Sequence, residues 1–234
     1  MGARSVWQPC RGRWPLGTEE MTDQNTSHAV MAQRYEPKDS LDNFPTPPWA
    51  TRALLEHVIS PQELRMQSCW EPACGEGHMA KVLDEYFGRV YASDIHPYGY
   101  GSTRDFLDNG VYQDVDWIIT NPPFKQAEEF VVKALSIARR GVAMLARTVF
   151  AESVGRYERL FSTTPPSKVA IFAERVPIFK ERLDPKGSTA TSYAWFVWEA
   201  PGGVTTQKLW ISPCRKTLER ASDYDPAVTA APRC

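Results

Sequence analysis

Hydrophobic and polar positions show a regular period only after a long polar start. The stretch DNFPTPPWATRALLEHVIS, residues 42–60, spaces its apolar side chains as a helix does, with Pro47 and Pro48 suited to the first turn. One face of this predicted helix carries Ala50, Leu54, Leu55 and Val58. Residues 1–38 show no sustained period, so we expect that segment to be disordered.

Beyond that helix, apolar blocks of strand length alternate with helical ones. Further helices are predicted over residues 78–87, 126 to about 141, and 149–161. A short strand is predicted to end at Glu71, and others to cover residues 89–94, 115–120, 141–147, 167–176, 191–200 and 206–212. After about residue 162, strands follow one another without an obvious helix.

This order predicts an α/β fold with a Rossmann-like, mostly parallel seven-stranded sheet and an antiparallel C-terminal strand. We expect one domain over residues 39–212, followed by a loose tail over 213–234 that is rich in proline and charge. Open sheets of this kind bind ligands outside the carboxyl ends of their strands, where the strand order reverses. The unusual short motifs of the chain all follow predicted strands, at such ends.

Composition and charge narrow the class of protein. The net charge is −1, from 27 basic and 28 acidic residues, so the whole chain is not drawn toward nucleic acid, although a local basic patch is compatible with it. The chain has 5 cysteines, an odd number, and no two of them form a CxxC motif. This favours a reducing, cytoplasmic setting over a disulfide framework.

The 4 histidines are scattered along the chain, so we predict no metal site. No apolar run reaches about 18 residues, so we predict no membrane span. The oligomeric state is left open.

Two motifs suit a nucleoside-bearing cofactor. EPACGEG, residues 71–77, follows a strand and opens a helix, and Gly75 and Gly77 would let the backbone approach a ligand closely. The motif lacks the third glycine of a dinucleotide fingerprint, and Glu71 would repel a pyrophosphate but attract an ammonium group. Asp94 ends the next strand, where a carboxylate can accept hydrogen bonds from ribose hydroxyls.

A third acidic position follows in the stretch RDFLD. Asp105 can accept a hydrogen bond from an adenine amine, and the ring of Phe106 can stack on the adenine face. Each of these acids alone would fit a solvated loop equally well. Three of them in order, each after a strand, favour a nucleoside-bearing cofactor.

The stretch TNPPFKQ, residues 120–126, indicates what the site does. The amide oxygen of Asn121 and the carbonyl of Pro122 are both hydrogen-bond acceptors, and Pro122 and Pro123 fix the backbone that carries them. Phe124 offers a stacking face for a planar group. Two acceptors aimed at one planar NH2 group would free its lone pair for attack and stabilise the positive charge that develops during methyl transfer.

These motifs together resemble the class I S-adenosylmethionine-dependent methyltransferases, and among them small phage and prophage N6-adenine DNA methyltransferases. NPPF matches the [DNS]PP[YFW] motif of amino-group methyltransferases, and EPACGEG, ASD and RDF match three cofactor motifs in the family's order. DNFPTPPWAT resembles the segment that closes over the methionine part of the cofactor. The resemblance covers residues 40–199.

The resemblance implies a role for each matched residue. S-adenosyl-L-methionine is expected to contact Thr46, Pro47, Glu71, Pro72, Ala73, Gly75, Gly77, Asp94, Ile95, Asp105, Phe106 and Asn121. The target amine is expected to be held by Asn121, Pro122, Pro123 and Phe124. The implied partner is a nucleic acid, with DNA favoured.

The chain departs from the family because no separate target-recognition domain follows the last clear strand. The loop over residues 176–192 is the candidate for target contacts, through Lys180, Arg182 and Lys186. A solvated charged loop fits these residues equally well. Phe179 could flank a flipped base or belong to the core.

Other readings of the motif stay open. NPPF also occurs in ribosomal RNA guanine methyltransferases, and NPPY occurs in enzymes that methylate a glutamine of release factors. A base amine and a side-chain amide present the same NH2 group to the same two acceptors. A non-catalytic cofactor-binding module is a further alternative, which the intact NPPF and the acidic cofactor positions disfavour.

Overall fold

The structure is a computed structural model that describes residues 42–59, 61–110 and 114–224. The predicted disordered segment 1–38 lies outside the described residues, as does the chain after residue 224.

Helices and strands alternate through the first two thirds of the described chain. The helices are α1 (Pro48–His57), α2 (His78–Tyr86), α3 (Ala127–Ile137) and the short α4 (Val154–Arg156) and α5 (Arg215–Leu218). The strands are β1 (Ser68–Glu71), β2 (Arg89–Asp94), β3 (Ser102–Thr103), β4 (Val115–Thr120), β5 (Ala138–Arg147), β6 (Lys168–Phe172), β7 (Tyr193–Glu199) and β8 (Gln207–Ile211).

The described strands form one sheet in the order β3-β2-β1-β4-β5-β7-β6-β8. Only β7 among them runs against its neighbours, and it pairs antiparallel with both β5 and β6. The predicted mostly parallel α/β sheet is therefore confirmed. The described sheet has 8 strands rather than the predicted seven, because β3, Ser102–Thr103, is too short to show a period. The antiparallel strand lies inside the sheet, and the C-terminal β8 pairs parallel with β6 at its edge.

Two hydrophobic cores cover the two faces of the sheet. Strand β7 shows this directly, because its side chains alternate between them with the period of 2 that a strand imposes. Tyr193, Trp195 and Val197 belong to the core that α1 and α2 cover, whereas Ala194, Phe196 and Trp198 belong to the core that α3 covers. A strand buried on both faces reads as a continuous apolar run, which explains why YAWFVW is apolar throughout.

Two predicted helices end differently in the structure. The helix expected to run to about residue 141 ends at Ile137, because Ala138 already pairs with Val115 of β4. The helix predicted over 149–161 is broken into a 3₁₀ turn, α4 and a π-helical turn. The Ser153 side chain accepts a hydrogen bond from the Arg156 backbone and starts a new helical turn there. Long-range pairing and local capping both override the helical period.

The predicted strand over 167–176 also ends early, at Phe172, and the chain continues as a long loop to Tyr193. Within this loop Val176 and Ile178 are still buried in the first core. The loop leaves β6 at the edge where the parallel strands β1, β2, β4 and β5 have their carboxyl ends. It therefore lies on the side of the sheet that carries the motifs.

The tail was expected to be loose from residue 213, but residues 213–224 pack onto the domain. The buried side chain of Arg52 in α1 donates two hydrogen bonds to Asp223, each 2.9 Å long. The same guanidinium donates to Glu85 and to the Leu218 carbonyl. An arginine that is 3% exposed needs such partners, because an unpaired buried charge is costly. Nothing in a proline- and charge-rich sequence shows this distant pairing.

Candidate active site

The sequence-predicted site residues come together at one edge of the sheet. Glu71 ends β1, Asp94 ends β2, and Asn121 directly follows β4. Strands β1, β2 and β4 are parallel, so their carboxyl ends lie side by side. The order of the strands reverses between β1 and β4, which is where open α/β sheets bind ligands.

The glycine turn between β1 and α2 is held by Asp94. Its Oδ2 accepts a hydrogen bond from the Gly75 backbone at 2.9 Å, and its Oδ1 accepts one from the His96 backbone at 3.0 Å. Gly75 and Gly77 adopt φ values of 49° and 82°, in the left-handed region that favours glycine. A Cβ at Gly77 would also lie 2.4 Å from the ring of Tyr100. The turn keeps its shape only with glycine at this position.

Asp94 thus has a structural partner on each oxygen as well as its predicted ligand role. Each carboxylate oxygen can accept more than one hydrogen bond, so both roles are compatible. Pro72 is buried and Ala73 half-buried in the same turn, and Ile95 is 55% exposed beside Asp94. The structure places all of these predicted cofactor contacts around one turn.

Glu71 is a buried carboxylate with an incomplete set of partners. It accepts a hydrogen bond from the Ala80 backbone in the first turn of α2, while Oε2 has no hydrogen-bond partner among the described residues. Burial, and then the negative charge of Asp94, raise the pKa of Glu71 well above its usual range. A cationic group beside Oε2 would reverse this effect, because it favours the ionised carboxylate.

Further carboxylates surround this part of the site. Desolvation, and then the charges of four nearby carboxylates, raise the pKa of Tyr98 to about 12; these carboxylates are Asp94, Glu181, Glu76 and Asp42. These residues come from distant segments of the chain and share one neighbourhood. The negative charge they bring favours a cationic ligand over a pyrophosphate.

Asp105 and Phe106 have different environments. Asp105 is exposed at the edge, where its Oδ1 accepts a hydrogen bond from the Leu107 backbone at 2.8 Å. The ring of Phe106 is only 1% exposed and packs against Trp70 and Phe130. The core already surrounds this ring, so the predicted stacking on adenine would require the ring to move, and this contact stays a prediction.

Asn121 has its amide fixed in one orientation. Its Nδ2 donates to the Phe44 carbonyl at 2.9 Å, and a carbonyl can only accept, so the amide nitrogen must face it. Oδ1 consequently points elsewhere and is buried without a hydrogen-bond partner among the described residues. A buried polar atom without a partner is uncommon in a folded protein. This oxygen is therefore an acceptor that the described residues leave unused.

The segment 42–46 crosses the NPPF loop and holds it. The Phe124 backbone donates to Asp42 Oδ2 at 2.7 Å, and the rings of Phe44 and Phe124 lie 4.9 Å apart. Thr46 is buried, and its Oγ1 also has no hydrogen-bond partner among the described residues. The sequence predicted roles for Thr46 and Pro47 but missed Asp42 and Phe44. Both residues belong to the same stretch, DNFPTPP, which was the available indication.

Arg147 is a second residue that the sequence did not identify. It ends β5, and its guanidinium lies over the ring of Phe124, with Cζ 4.2 Å from the ring centre. It also faces Tyr193 across the antiparallel pair of β5 and β7 and hydrogen-bonds its hydroxyl. The one indication in the sequence was a charged residue at the tip of an otherwise apolar strand.

The loop between β6 and β7 reaches the same segment. The Glu181 backbone donates to the Asn43 carbonyl at 2.8 Å, which places the loop beside the NPPF region. Lys180 is half-buried, whereas Arg182 and Lys186 are exposed. Arg182 lies over the ring of Phe179, 5.1 Å from its centre, and is 3.9 Å from Asp184. The loop thus lies beside the NPPF region, and its contacts with a target stay a prediction.

Within residues 42–59, 61–110 and 114–224, no group of His, Cys, Asp and Glu side chains is arranged to hold a metal ion. Among the described helices, none is both long enough and apolar enough to cross a bilayer.

The fold is shared with several solved structures. The modification subunit of a proposed type I restriction enzyme from Vibrio vulnificus has a TM-score of 0.55 at 15% identity, covering 80% of this chain and 51% of that chain. A proposed RNA methyltransferase from Pyrococcus horikoshii has a TM-score of 0.54 at 16% identity, covering 70% of this chain and 89% of that chain. The type I restriction-modification methyltransferase subunit from Streptococcus thermophilus has a TM-score of 0.53 at 8% identity, covering 79% and 50%.

These likenesses establish the fold, which is the Rossmann-like fold of class I methyltransferases, as the resemblance of the motifs implied. The chain spans about half the length of the two type I subunits that it matches. No protein-family model matches the sequence, and no curated protein matches it.

Proposed function

We propose that this chain is an S-adenosylmethionine-dependent methyltransferase that modifies an exocyclic amine, N6 of adenine in DNA. The observation that carries the proposal is the orientation of Asn121. The Phe44 carbonyl takes the amide nitrogen, and the buried Oδ1 is left to accept a hydrogen bond from the NH2 group of a target. An acceptor held in this way follows the strand end where ligands of such sheets bind.

The residues at the strand ends fit S-adenosylmethionine. Glu71 offers a buried acceptor to an ammonium group, and the acidic surroundings of Tyr98 suit a cationic ligand. Asp94 can add a ribose hydroxyl to the hydrogen bonds it already accepts, and the exposed Asp105 can accept from an adenine amine. The cofactor would supply a methyl group activated by a sulfonium.

The NPPF residues would position the target amine and stabilise the charge that develops on it. Asn121 Oδ1 and the Pro122 carbonyl would accept the two N–H groups, so that the lone pair of the nitrogen points toward the methyl donor. As the nitrogen takes the methyl group, the carbon–sulfur bond of the sulfonium would break and S-adenosylhomocysteine would leave. The nitrogen would become positively charged, and both oxygens would stabilise that charge without reorganising. Neither is basic enough to keep the proton, which leaves to water.

Adenine in a nucleic acid is the target that the surroundings support. A base inside a duplex cannot be reached and has to be flipped into the site, where an aromatic ring can stack on it. Phe124 supplies that ring, and the exposed cations Arg182 and Lys186 lie on a loop beside it. Two of the structures that share the fold are type I restriction-modification methylation subunits, which supports DNA.

RNA is the second candidate, and one observation favours it. The proposed RNA methyltransferase from Pyrococcus horikoshii shares the fold over 89% of its own length, so this chain and that one are of similar extent. The NPPF loop itself is compatible with either nucleic acid.

A direct comparison of substrates tests the proposal. The purified chain is incubated with S-adenosylmethionine labelled in the methyl group and, in parallel, with unmethylated DNA, ribosomal RNA and a release factor. The expected result is label in DNA that migrates as N6-methyladenine after hydrolysis. Label in ribosomal RNA or in a glutamine alone would reject the DNA assignment. Absence of cofactor binding in calorimetry would reject the methyltransferase assignment.

A further inference from the structure

We propose that Arg147 occupies the place of the target base in the free protein and moves to a backbone phosphate when the base enters. This inference rests on the proposed function and adds to it a residue that controls access to the target pocket. It makes Arg147 a positioning and specificity residue that no motif identifies.

In the free protein, other side chains cover the ring of Phe124. The ring packs against Phe44 and against the first hydrophobic core. The guanidinium of Arg147 lies over the ring, 4.2 Å from its centre. This is the spacing at which planar groups stack on an aromatic ring. A flipped base that stacks on this face of Phe124 therefore has to displace the guanidinium.

The guanidinium of Arg147 can be displaced from the Phe124 ring. Its side chain is exposed at the end of β5, and it is held there by the ring and by the Tyr193 hydroxyl. Cation–π contacts are weak where water reaches the cation. A planar guanidinium and a planar base can each stack on this face of Phe124, but not at the same time. The contact of Arg147 with the ring therefore closes the pocket reversibly.

A nucleic acid substrate provides a phosphate to which the displaced guanidinium of Arg147 can bind. A flipped nucleotide carries phosphates on both sides of its sugar, and these arrive at the pocket together with the base. Arginine binds phosphate through two parallel hydrogen bonds that are stronger than neutral ones. The base of a nucleic acid therefore displaces Arg147 from the Phe124 ring while a phosphate of the same strand binds its guanidinium. A free nucleoside or a glutamine side chain also displaces Arg147 but brings no phosphate to bind it.

This difference gives Arg147 opposite effects on two ligands. It disfavours a base that lacks phosphates and favours the same base in a strand. A residue that only supported the shape of the NPPF loop would affect both ligands in the same direction.

The test compares Arg147→Met and Arg147→Lys with Arg139→Met, in full-length protein at saturating S-adenosylmethionine. Arg139 is the matched control, because it lies on the same strand with a side chain 55% exposed at the opposite edge of the sheet. Two quantities are measured: KM for unmethylated DNA as a function of KCl concentration, and inhibition by adenosine that is competitive with DNA. Saturating cofactor keeps adenosine out of the cofactor site.

We expect Arg147→Met to raise KM for DNA about tenfold and to reduce the slope of log KM against log salt by about 0.7–0.9, the effect of one lost phosphate contact. Adenosine should inhibit the same variant several-fold better than wild type. Arg147→Lys should keep the salt slope and show the improved inhibition by adenosine. Arg139→Met should match wild type in both quantities.

The inference is overturned if Arg147→Met weakens DNA and adenosine together, or changes neither, while wild type methylates DNA. If wild type methylates no nucleic acid, the proposed function fails and this inference fails with it. The two failures are distinguished by the activity of the wild-type protein alone.

Discussion

The side chain of Asn121 is bound through its Nδ2 to the backbone carbonyl of Phe44, 77 residues earlier in the chain, at a distance of 2.9 Å. This contact decides which end of the amide faces the site, and the end that remains, Oδ1, is a buried acceptor. A segment that precedes the first strand therefore orients the residue that follows the fourth one. The NPPF loop and the segment 42–46 are therefore joined by direct contacts.

The first prediction separates catalysis from cofactor binding. Asn121→Ala removes the acceptor for the target amine and should lower kcat by about 100- to 1000-fold, the usual effect of losing one preorganised polar contact. Binding of S-adenosylhomocysteine, measured by calorimetry, should change little. Gln207→Ala is the control, because Gln207 is an exposed amide at the start of β8, at the opposite edge of the sheet. A variant that loses cofactor binding and activity in parallel would show that Asn121 supports the cofactor instead.

The second prediction concerns the buried carboxylate of Glu71. Because its pKa is raised in the folded state, the unfolded chain loses this proton first, and the free energy of unfolding should fall as pH rises above the ordinary glutamate pKa. Glu71→Gln removes that dependence while it keeps an acceptor for the Ala80 backbone. The variant without cofactor should therefore be more stable than wild type near pH 7 and show a flatter pH profile.

Urea unfolding between pH 5 and pH 8 measures this difference. Calorimetry on the same variant should show weaker binding of S-adenosylmethionine, because the negative charge that attracts its ammonium group is gone. Parallel stability curves for wild type and Glu71→Gln across this range would contradict the account of Glu71.

The third prediction compares two glycines that have nearly the same backbone φ angle. Gly77 and Gly99 have φ values of 82° and 84°, yet a Cβ at Gly77 would meet the Tyr100 ring at 2.4 Å and a Cβ at Gly99 would meet nothing within 4 Å. Gly99→Ala should cost only the left-handed backbone penalty, about 1–2 kcal/mol of unfolding free energy. Gly77→Ala should cost more and weaken cofactor binding. Equal losses of stability and no effect on binding would show that the turn adapts to the added methyl group.

The fourth prediction addresses the end of the described chain. Asp223→Ala removes one of the carboxylates that compensate the buried Arg52, and it should reduce the free energy of unfolding by about 3 kcal/mol. Truncation after residue 212 should destabilise the domain at least as much. Ser222→Ala, at the exposed neighbouring position, is the control. If Asp223→Ala and the truncated chain both keep the denaturation midpoint of wild type, the prediction of a loose tail from residue 213 would stand.

The sequence predicted the parts of the fold that local patterns determine. Strand β7 is apolar at every position because both of its faces are buried, and such a run is visible without a structure. The cofactor turn was equally visible, since Gly75 and Gly77 are required by the backbone of that turn itself. NPPF marks the strand end after β4 because its two prolines cannot continue a ladder.

The features that the sequence missed depend on contacts between distant residues. Ala138 joins β5 because Val115 is its partner, although its neighbours continue a helical period. Arg52 and Asp223 find each other across 171 positions of the chain. Arg147 reaches Phe124 because β4 and β5 are adjacent in the sheet. The sequence likewise gives no sign that the ring of Phe106 packs against Trp70 and Phe130.

The most direct test of the central claim is the content of N6-methyladenine in DNA from a host that lacks adenine methylation of its own. The host expresses either the wild-type chain or Asn121→Ala at equal levels, and hydrolysed genomic DNA is analysed by mass spectrometry. The account predicts N6-methyladenine with the wild-type chain and little or none with the variant. Unmodified DNA with both proteins, while purified wild-type protein still transfers methyl groups to RNA or to a protein amide, would contradict the assignment of DNA adenine as the substrate.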